Sequence, residues 1–175
     1  MSVKVLKIGH RPRRDKRVTT HLILAARALG ASGVVYTGIK DSAMEDNINE
    51  VVLDWGGSFN IEYSESWRKE IENFKQRGKL IHLTMYGLPI QQTISQIRVE
   101  PIDKLIIVGG AKVPGDMYRK VDWNIAISSQ PHSEISALAV FLHELYEGKE
   151  LDAPFEGAKL KVTPQKFGKK MDKTS

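Results

Sequence analysis

The chain has 175 residues, 41% hydrophobic and 27% charged, with 26 Lys or Arg against 21 Asp or Glu and a formal net charge of +5. That is the length of one globular domain burying roughly 70% of its unfolded surface. The absence of cysteine excludes disulfides, thiol nucleophiles and cysteine-ligated zinc or iron–sulfur sites.

Short β-branched runs alternate with helical stretches. Strands are expected at Val3–Ile8, Gly33–Thr37, Phe59–Tyr63, Leu80–Met85, Leu105–Val108 and Asn124–Ile127. Several are almost wholly apolar, as strands covered on both faces must be. Helices fit between them at about 18–29, 43–54, 65–77, 89–98 and 133–147. Ser42 with Glu45 reads as a capping box, and Ser64 precedes an acidic first turn. Gly30, Gly56, Gly78 and Gly148 stand where helices should stop. The expected fold is α/β, a mainly parallel sheet with helices on both faces.

The helix at 133–147 carries Ile135, Leu138, Ala139, Leu142, Leu145 and Tyr146 on one stripe, widened by Ala137, Val140 and Phe141. Such a helix is either core or covered by a second copy of the chain. Residues 1–150 form the expected domain. Beyond it, Pro154, Gly157, Pro164 and Gly168 break the pattern, and Lys159–Thr163 alternates like a short strand. A basic hairpin or arm with a frayed last six residues is expected over 151–175.

No apolar run approaches the ~20 residues that span a bilayer. In MSVKVLKIGHRPRRDKR the charge follows the apolar stretch, the reverse of a signal peptide. A cytoplasmic protein with no membrane partner is expected. Residues 1–20 carry +6, residues 151–175 carry +3, and the body between them carries −4. Basic ends on an acidic body form a footprint for a polyanion; a solvated end and tail are the plainer alternative.

Ligands of parallel α/β sheets bind beyond the carboxyl ends of the strands. Three such ends are unusual: Leu83-Thr84-Met85-Tyr86-Gly87-Leu88-Pro89, then Val108-Gly109-Gly110-Ala111-Lys112-Val113-Pro114-Gly115, then Ile127-Ser128-Ser129-Gln130-Pro131-His132-Ser133-Glu134. The glycine pair allows close backbone approach, and Ser133 can cap the apolar helix. Neither a dinucleotide fingerprint nor a P-loop is present. His82 lies within an apolar run and reads as a core histidine, and His143 pairs with Glu147 at helical spacing. No metal-ligand spacing occurs, and no metal is expected.

The segments GHRPRRDKRVTTHLILAARALGA, VGGAKVPGDMY and WNIAISSQPHSEISALAVFLHELYEG together resemble the archaeal-type tRNA (cytidine-56-2′-O)-methyltransferases of the SPOUT superfamily. The resemblance covers roughly residues 1–150, and the tail looks like the family's own extension. It implies an α/β knot with a C-terminal trefoil, S-adenosylmethionine as cofactor, tRNA as substrate, and a homodimer packed through the last helix of the domain. Carried over by position, the cofactor contacts are Leu83, Gly109, Gly110, Ala111, Lys112 and Val113, then Ile127, Ser128, Ser129, Gln130, Pro131, His132, Ser133 and Glu134. By superfamily analogy an arginine of the first motif serves the reacting hydroxyl: Arg17 first, with Arg14 and Arg27 as alternatives. Arg11 and Arg13 would hold phosphates, with His21 a possible helper.

Three positions depart from the superfamily pattern. Leu24 stands six residues before Gly30, where relatives space an asparagine and an arginine. Ala111-Lys112 replaces an acidic residue, and Glu134 stands about where an asparagine is usual. Methylation of another RNA nucleotide and RNA binding without catalysis are the competing readings.

Overall fold

The computed structural model describes residues 1–110 and 113–174. Six strands, β1 (Val3–His10), β2 (Gly33–Gly38), β3 (Asn60–Tyr63), β4 (Gly78–Pro89), β5 (Asp103–Gly109) and β6 (Trp123–Ala126), form one sheet in the order β3-β2-β1-β5-β4-β6. Every neighbouring pair is parallel. All their carboxyl ends therefore open on one edge. The chain leaves β5, passes β4 and returns as β6 on its far side, which brings the ends of β4, β5 and β6 together.

Helices α1 (Pro12–Ala28), α2 (Ser42–Trp55), α4 (Ile90–Val99) and α6 (Glu134–Tyr146) enclose the larger core with Val3, Val5, Ile81, Leu83 and Ile125. On the opposite face α3 (Trp67–Lys75) and the short α5 (Met117–Lys120) cover Leu6, Ile8, Leu80, Leu105 and Ile107. Alternate residues of one strand thus enter different cores, as the two-residue repeat requires. In α6, Ala137, Leu138, Phe141, Leu142 and Leu145 are buried within a single chain, and Val140 stays 40% exposed. Most of the apolar stripe is therefore core.

Four local expectations need correction. Helix α1 begins at Pro12, not near residue 18, because proline presets the backbone angle of a first helical turn. The cap of α2 is Asp41, whose carboxylate accepts from the Met44 amide at 3.0 Å, and Ser42 is already helical. Ser66 rather than Ser64 caps α3; Ser64 instead donates to Glu70 at 2.8 Å. His143 pairs with Glu150 at 2.7 Å, not with Glu147, because the left-handed Glu147 turns the chain back after α6.

Beyond α6, β7 (Leu160–Thr163) and β8 (Lys170–Lys173) form the antiparallel hairpin the basic tail suggested. Its pairing holds Lys170 to Lys173, where fraying was expected. The tail is tied to the domain: the Gly57 amide donates to the Glu156 carbonyl, the Lys159 amide donates to Asp54, and Arg27 lies 4.7 Å over the Phe155 ring.

Candidate cofactor and RNA site

A cavity of about 960 Å³ opens at the carboxyl ends of β4, β5 and β6. One wall is Leu83 to Tyr86, from the end of β4. The second is Val108, Gly109, Gly110 and Val113, from β5 and its loop. The third is Ile127, Pro131, His132, Ser133 and Glu134, between β6 and α6. Val18 of α1, Ala137 of α6, His82 of β4 and Tyr118 of α5 complete the lining.

Close backbone approach shapes the walls at two glycines. A Cβ at Gly87 would lie 2.5 Å from the backbone of Asn124 and Ile125, so only glycine lets the end of β4 fold against β6. A Cβ at Gly109 would meet the Val113 side chain at 2.2 Å, so these two residues lie close together; at Gly110 the same atom would meet nothing within 4 Å.

At the foot of α6, Ser133 accepts from the Ile135 amide at 3.1 Å, as a cap should. The next residue, Glu134, meets Lys7 at 2.8 Å, and the Lys7 side chain is only 2% exposed. Lys7 also donates to the Ile8 carbonyl at 3.3 Å, so its contact with Glu134 is a charge pairing added to a hydrogen bond. A second acidic group stands nearby. The Asp15 carboxyl is held below its usual range first by the hydrogen bond from Arg11, with the charges of Arg11, Lys7 and Arg14 adding against desolvation. Lys7 thus lies between the start of α1 and the start of α6.

The basic run is helical from Pro12, and Arg13, Arg14 and Arg17 are exposed on the first turns of α1. Cations there face the positive end of the helix dipole, an unfavourable placement that Asp15 offsets through Arg11 at 2.7 Å. Arg17 immediately precedes the cavity residue Val18. Arg27 is at the other end of α1, about 15 Å along the axis. It is buried, donates to the Gly56 carbonyl at 2.6 Å, and has its guanidinium pKa lowered by desolvation. Its side chain is held between the Gly56 carbonyl and the Phe155 ring, away from the first turns of α1. His21 is exposed on the same helix.

Among the positions expected to meet a cofactor, Leu83, Gly109, Gly110, Val113, Ile127, Pro131, His132, Ser133 and Glu134 line one cavity. Ser128, Ser129 and Gln130 are exposed on the outer turn of the third loop and are not part of the lining. Ala111 and Lys112 lie outside the described residues. Sequence reasoning missed Val18, His82, Thr84, Met85, Tyr86, Val108, Tyr118 and Ala137. Their positions before the strand ends or on other helices gave no motif, although Thr84, Met85, Tyr86 and Val108 stood inside loops already singled out.

The family model for tRNA ribose 2′-O-methyltransferases of the aTrm56 type matches residues 55–172, more than half of the chain and including the hairpin. The chain belongs to this family. The tRNA (cytidine(56)-2′-O)-methyltransferase of Methanothermobacter thermautotrophicus is 49% identical over 170 residues, covering 97% of this chain and 95% of that protein. The enzyme of the same name from Thermococcus kodakarensis is 46% identical, covering 97% and 96%. In fold, this aTrm56-family chain is similar to the A. aeolicus TrmH/SpoU tRNA modifying enzyme, with a TM-score of 0.62 at 13% identity over 85% of this chain and 76% of the other. It is also similar to an AdoMet-bound rRNA methyltransferase from Sinorhizobium meliloti, at 0.63 and 15% identity. There it covers 85% of its own length and a little over half (57%) of the other chain. These likenesses show that the chain shares the fold of those two proteins. Its aTrm56 membership rests on the sequence.

Proposed function

We propose that the protein methylates the ribose 2′-hydroxyl of cytidine 56 in tRNA, with S-adenosylmethionine as methyl donor. The supporting observation is the convergence of three loops from β4, β5 and β6 on one cavity, beside a helix whose first turns expose arginines. The near full-length similarity to enzymes of that name supports the nucleotide assignment.

The residues fit this cofactor. The volume suits a ligand of its size, and the wall is mainly apolar with a few oriented polar groups. Open space at Gly110 lets a ligand lie against bare backbone. When bound, S-adenosylmethionine supplies a methyl group already activated by its positive sulfur. Gly109, Gly110 and the residues from Ile127 to Glu134 would hold the adenosyl and methionyl portions, with Leu83, Val113 and Ile127 as apolar walls. Ser128, Ser129 and Gln130 would flank the ligand from the exposed part of the third loop, and Ala111 and Lys112 follow the glycine pair in sequence. Because the methyl is activated, the chain has to orient the ribose oxygen and ease loss of its proton. Arg17 stabilises the negative charge growing on that oxygen, as a permanently cationic guanidinium can without taking the proton itself. Arg11 and Arg13 hold phosphates and position the RNA, and Arg14 is the alternative to Arg17.

The assembly we propose is a cytoplasmic homodimer in which α6 and the neighbouring face of α1 meet their copies. Val140 and Val18, both apolar and exposed on adjoining helices, support that face. The passage of the chain from β5 to β6 around β4 is the region that would thread the trefoil knot, and residues 151–175 form the separate basic extension. Among the described residues no helix is long and apolar enough to cross a membrane.

Single-turnover methylation of an unmodified tRNA transcript, with the product nucleotide mapped by mass spectrometry, tests the reading. A methyl on the ribose of cytidine 56, lost when that residue is 2′-deoxy, is expected. Methylation elsewhere would move the target, and salt-dependent tRNA binding without cofactor binding would favour a non-catalytic role.

A further inference from the structure

His82 reads from sequence as a core histidine, and it is 1% exposed, yet it lines the cavity. Its register partner across the β4–β6 pair is Asn124, and its Nδ1 lies 2.9 Å from Asn124 Oδ1. The orientation of that amide is fixed by chemistry: Asn124 Nδ2 donates to the Tyr118 carbonyl at 2.9 Å, and a carbonyl can only accept. Asn124 therefore presents its oxygen to the ring, so Nδ1 carries the proton. Burial lowers the pKa of His82, keeping the ring neutral near pH 7. A neutral ring protonated on Nδ1 leaves a lone pair on Nε2. Among the described residues Nε2 has no hydrogen-bond partner, and it is not one of the polar atoms sealed away from solvent. Tyr118, edge-on at 5.1 Å, holds the ring plane, and its hydroxyl is fixed in turn by Thr84 at 3.1 Å.

The two faces of the sheet give the two sides of the cavity different chemistry. Glu134 and Ala137, with the Lys7 charge behind them, belong to the α1–α6 side. His82 belongs to the α3–α5 side, where Val113, Gly109 and Tyr118 offer apolar and flat surfaces. A planar base fits the second side, and a bare acceptor there calls for a donor on its edge. We infer that His82 Nε2 accepts a hydrogen bond from the exocyclic amine of the cofactor's adenine and so selects adenine over a 6-oxo purine. This rests on the S-adenosylmethionine reading above.

The test is calorimetric binding of S-adenosylhomocysteine and of S-inosylhomocysteine, in which a carbonyl replaces the amine. Wild type should prefer the adenosyl compound by about ten-fold or more, as expected for one buried hydrogen bond and its unpaired alternative. His82→Leu should weaken adenosyl binding by a similar factor and abolish the preference. Equal binding of both compounds by wild type, or an undiminished preference in the variant, overturns the role of His82. Failure of wild type to bind either compound overturns the cofactor reading instead.

Since a core substitution can disturb the edge of the sheet, ¹⁵N spectra of wild type provide a second measure. The ring should be protonated on Nδ1, with the Nε2 resonance moving on saturation with S-adenosylhomocysteine and unmoved by the inosine compound. A ring protonated on Nε2, or one indifferent to the adenosyl compound at saturation, also overturns the assignment.

Discussion

Lys7 Nζ lies 2.8 Å from Glu134 Oε2, joining the end of the first strand to the first residue of the last domain helix across 127 positions of sequence. The lysine side chain is 2% exposed and the glutamate side chain 18%. Removing one partner from such a pair leaves the other charge poorly solvated. Lys7→Ala should therefore destabilise the protein by about 2–3 kcal/mol in urea unfolding, with the partial exposure of Glu134 moderating the full buried-pair cost. Lys7→Met combined with Glu134→Leu should recover much of that loss. Additive losses in the double variant would mean that the two charges are not coupled.

Arg17 and Arg27 share a helix and should fail in opposite ways. Arg17 is exposed, so Arg17→Ala should leave the thermal midpoint nearly unchanged. Its single-turnover methylation rate should fall about 100-fold, as for loss of one donor to a developing oxyanion. Arg27→Ala loses the bond to the Gly56 carbonyl and the contact with Phe155, and should cost about 1–3 kcal/mol of stability while keeping near-normal chemistry. A stable, inactive Arg27→Ala would reverse the assignment.

Gly87 and Gly110 separate folding from binding. A methyl at Gly87 meets the backbone of β6 at 2.5 Å, so Gly87→Ala should lower the thermal midpoint by several degrees. A side chain at Gly110 enters open space, so Gly110→Leu should keep that midpoint and lose at least ten-fold in S-adenosylmethionine affinity. Calorimetric affinity left intact in Gly110→Leu would place the ligand elsewhere.

Burial holds the His82 imidazole below its ordinary range, and the hydrogen bond to Asn124 only partly opposes the shift. An unfolded chain takes up a proton at this residue near pH 6.5, while the folded one resists it. The His82 contribution to stability is therefore present above pH 6.5, falls as pH drops below it, and levels off beneath the folded-state pKa. Urea midpoints of wild type should fall more steeply from pH 7.5 to 5 than those of His82→Leu. Parallel pH profiles would show that His82 titrates as freely in the fold as outside it.

The hairpin carries Lys161, Lys166, Lys169, Lys170 and Lys173, all exposed. Changing Lys166, Lys169 and Lys170 to Gln should weaken tRNA binding and flatten its salt dependence, without altering cofactor affinity. An unchanged slope of log affinity against log salt would mean that these lysines do not meet phosphate.

The sequence by itself determined the six strands of the sheet and their alternation with helices, because nearly continuous Val, Ile and Leu runs can be buried only between two covered faces. It also located the three loops that line the cavity, where paired glycines and a Ser-rich turn interrupt that pattern. Tertiary structure decided which loop residues line the cavity: Ser133 and Glu134 do, while Ser128 to Gln130 are exposed outside the lining, although all occupy one short segment. It also decided the fate of the isolated polar residues. Lys7, His82 and Arg27 carry no local signal, because their partners lie 127, 42 and 29 positions away. Periodicity reports which face of an element is apolar; whether a polar group on that face is paired, opens on a cavity or holds down the tail depends on what the fold places opposite it.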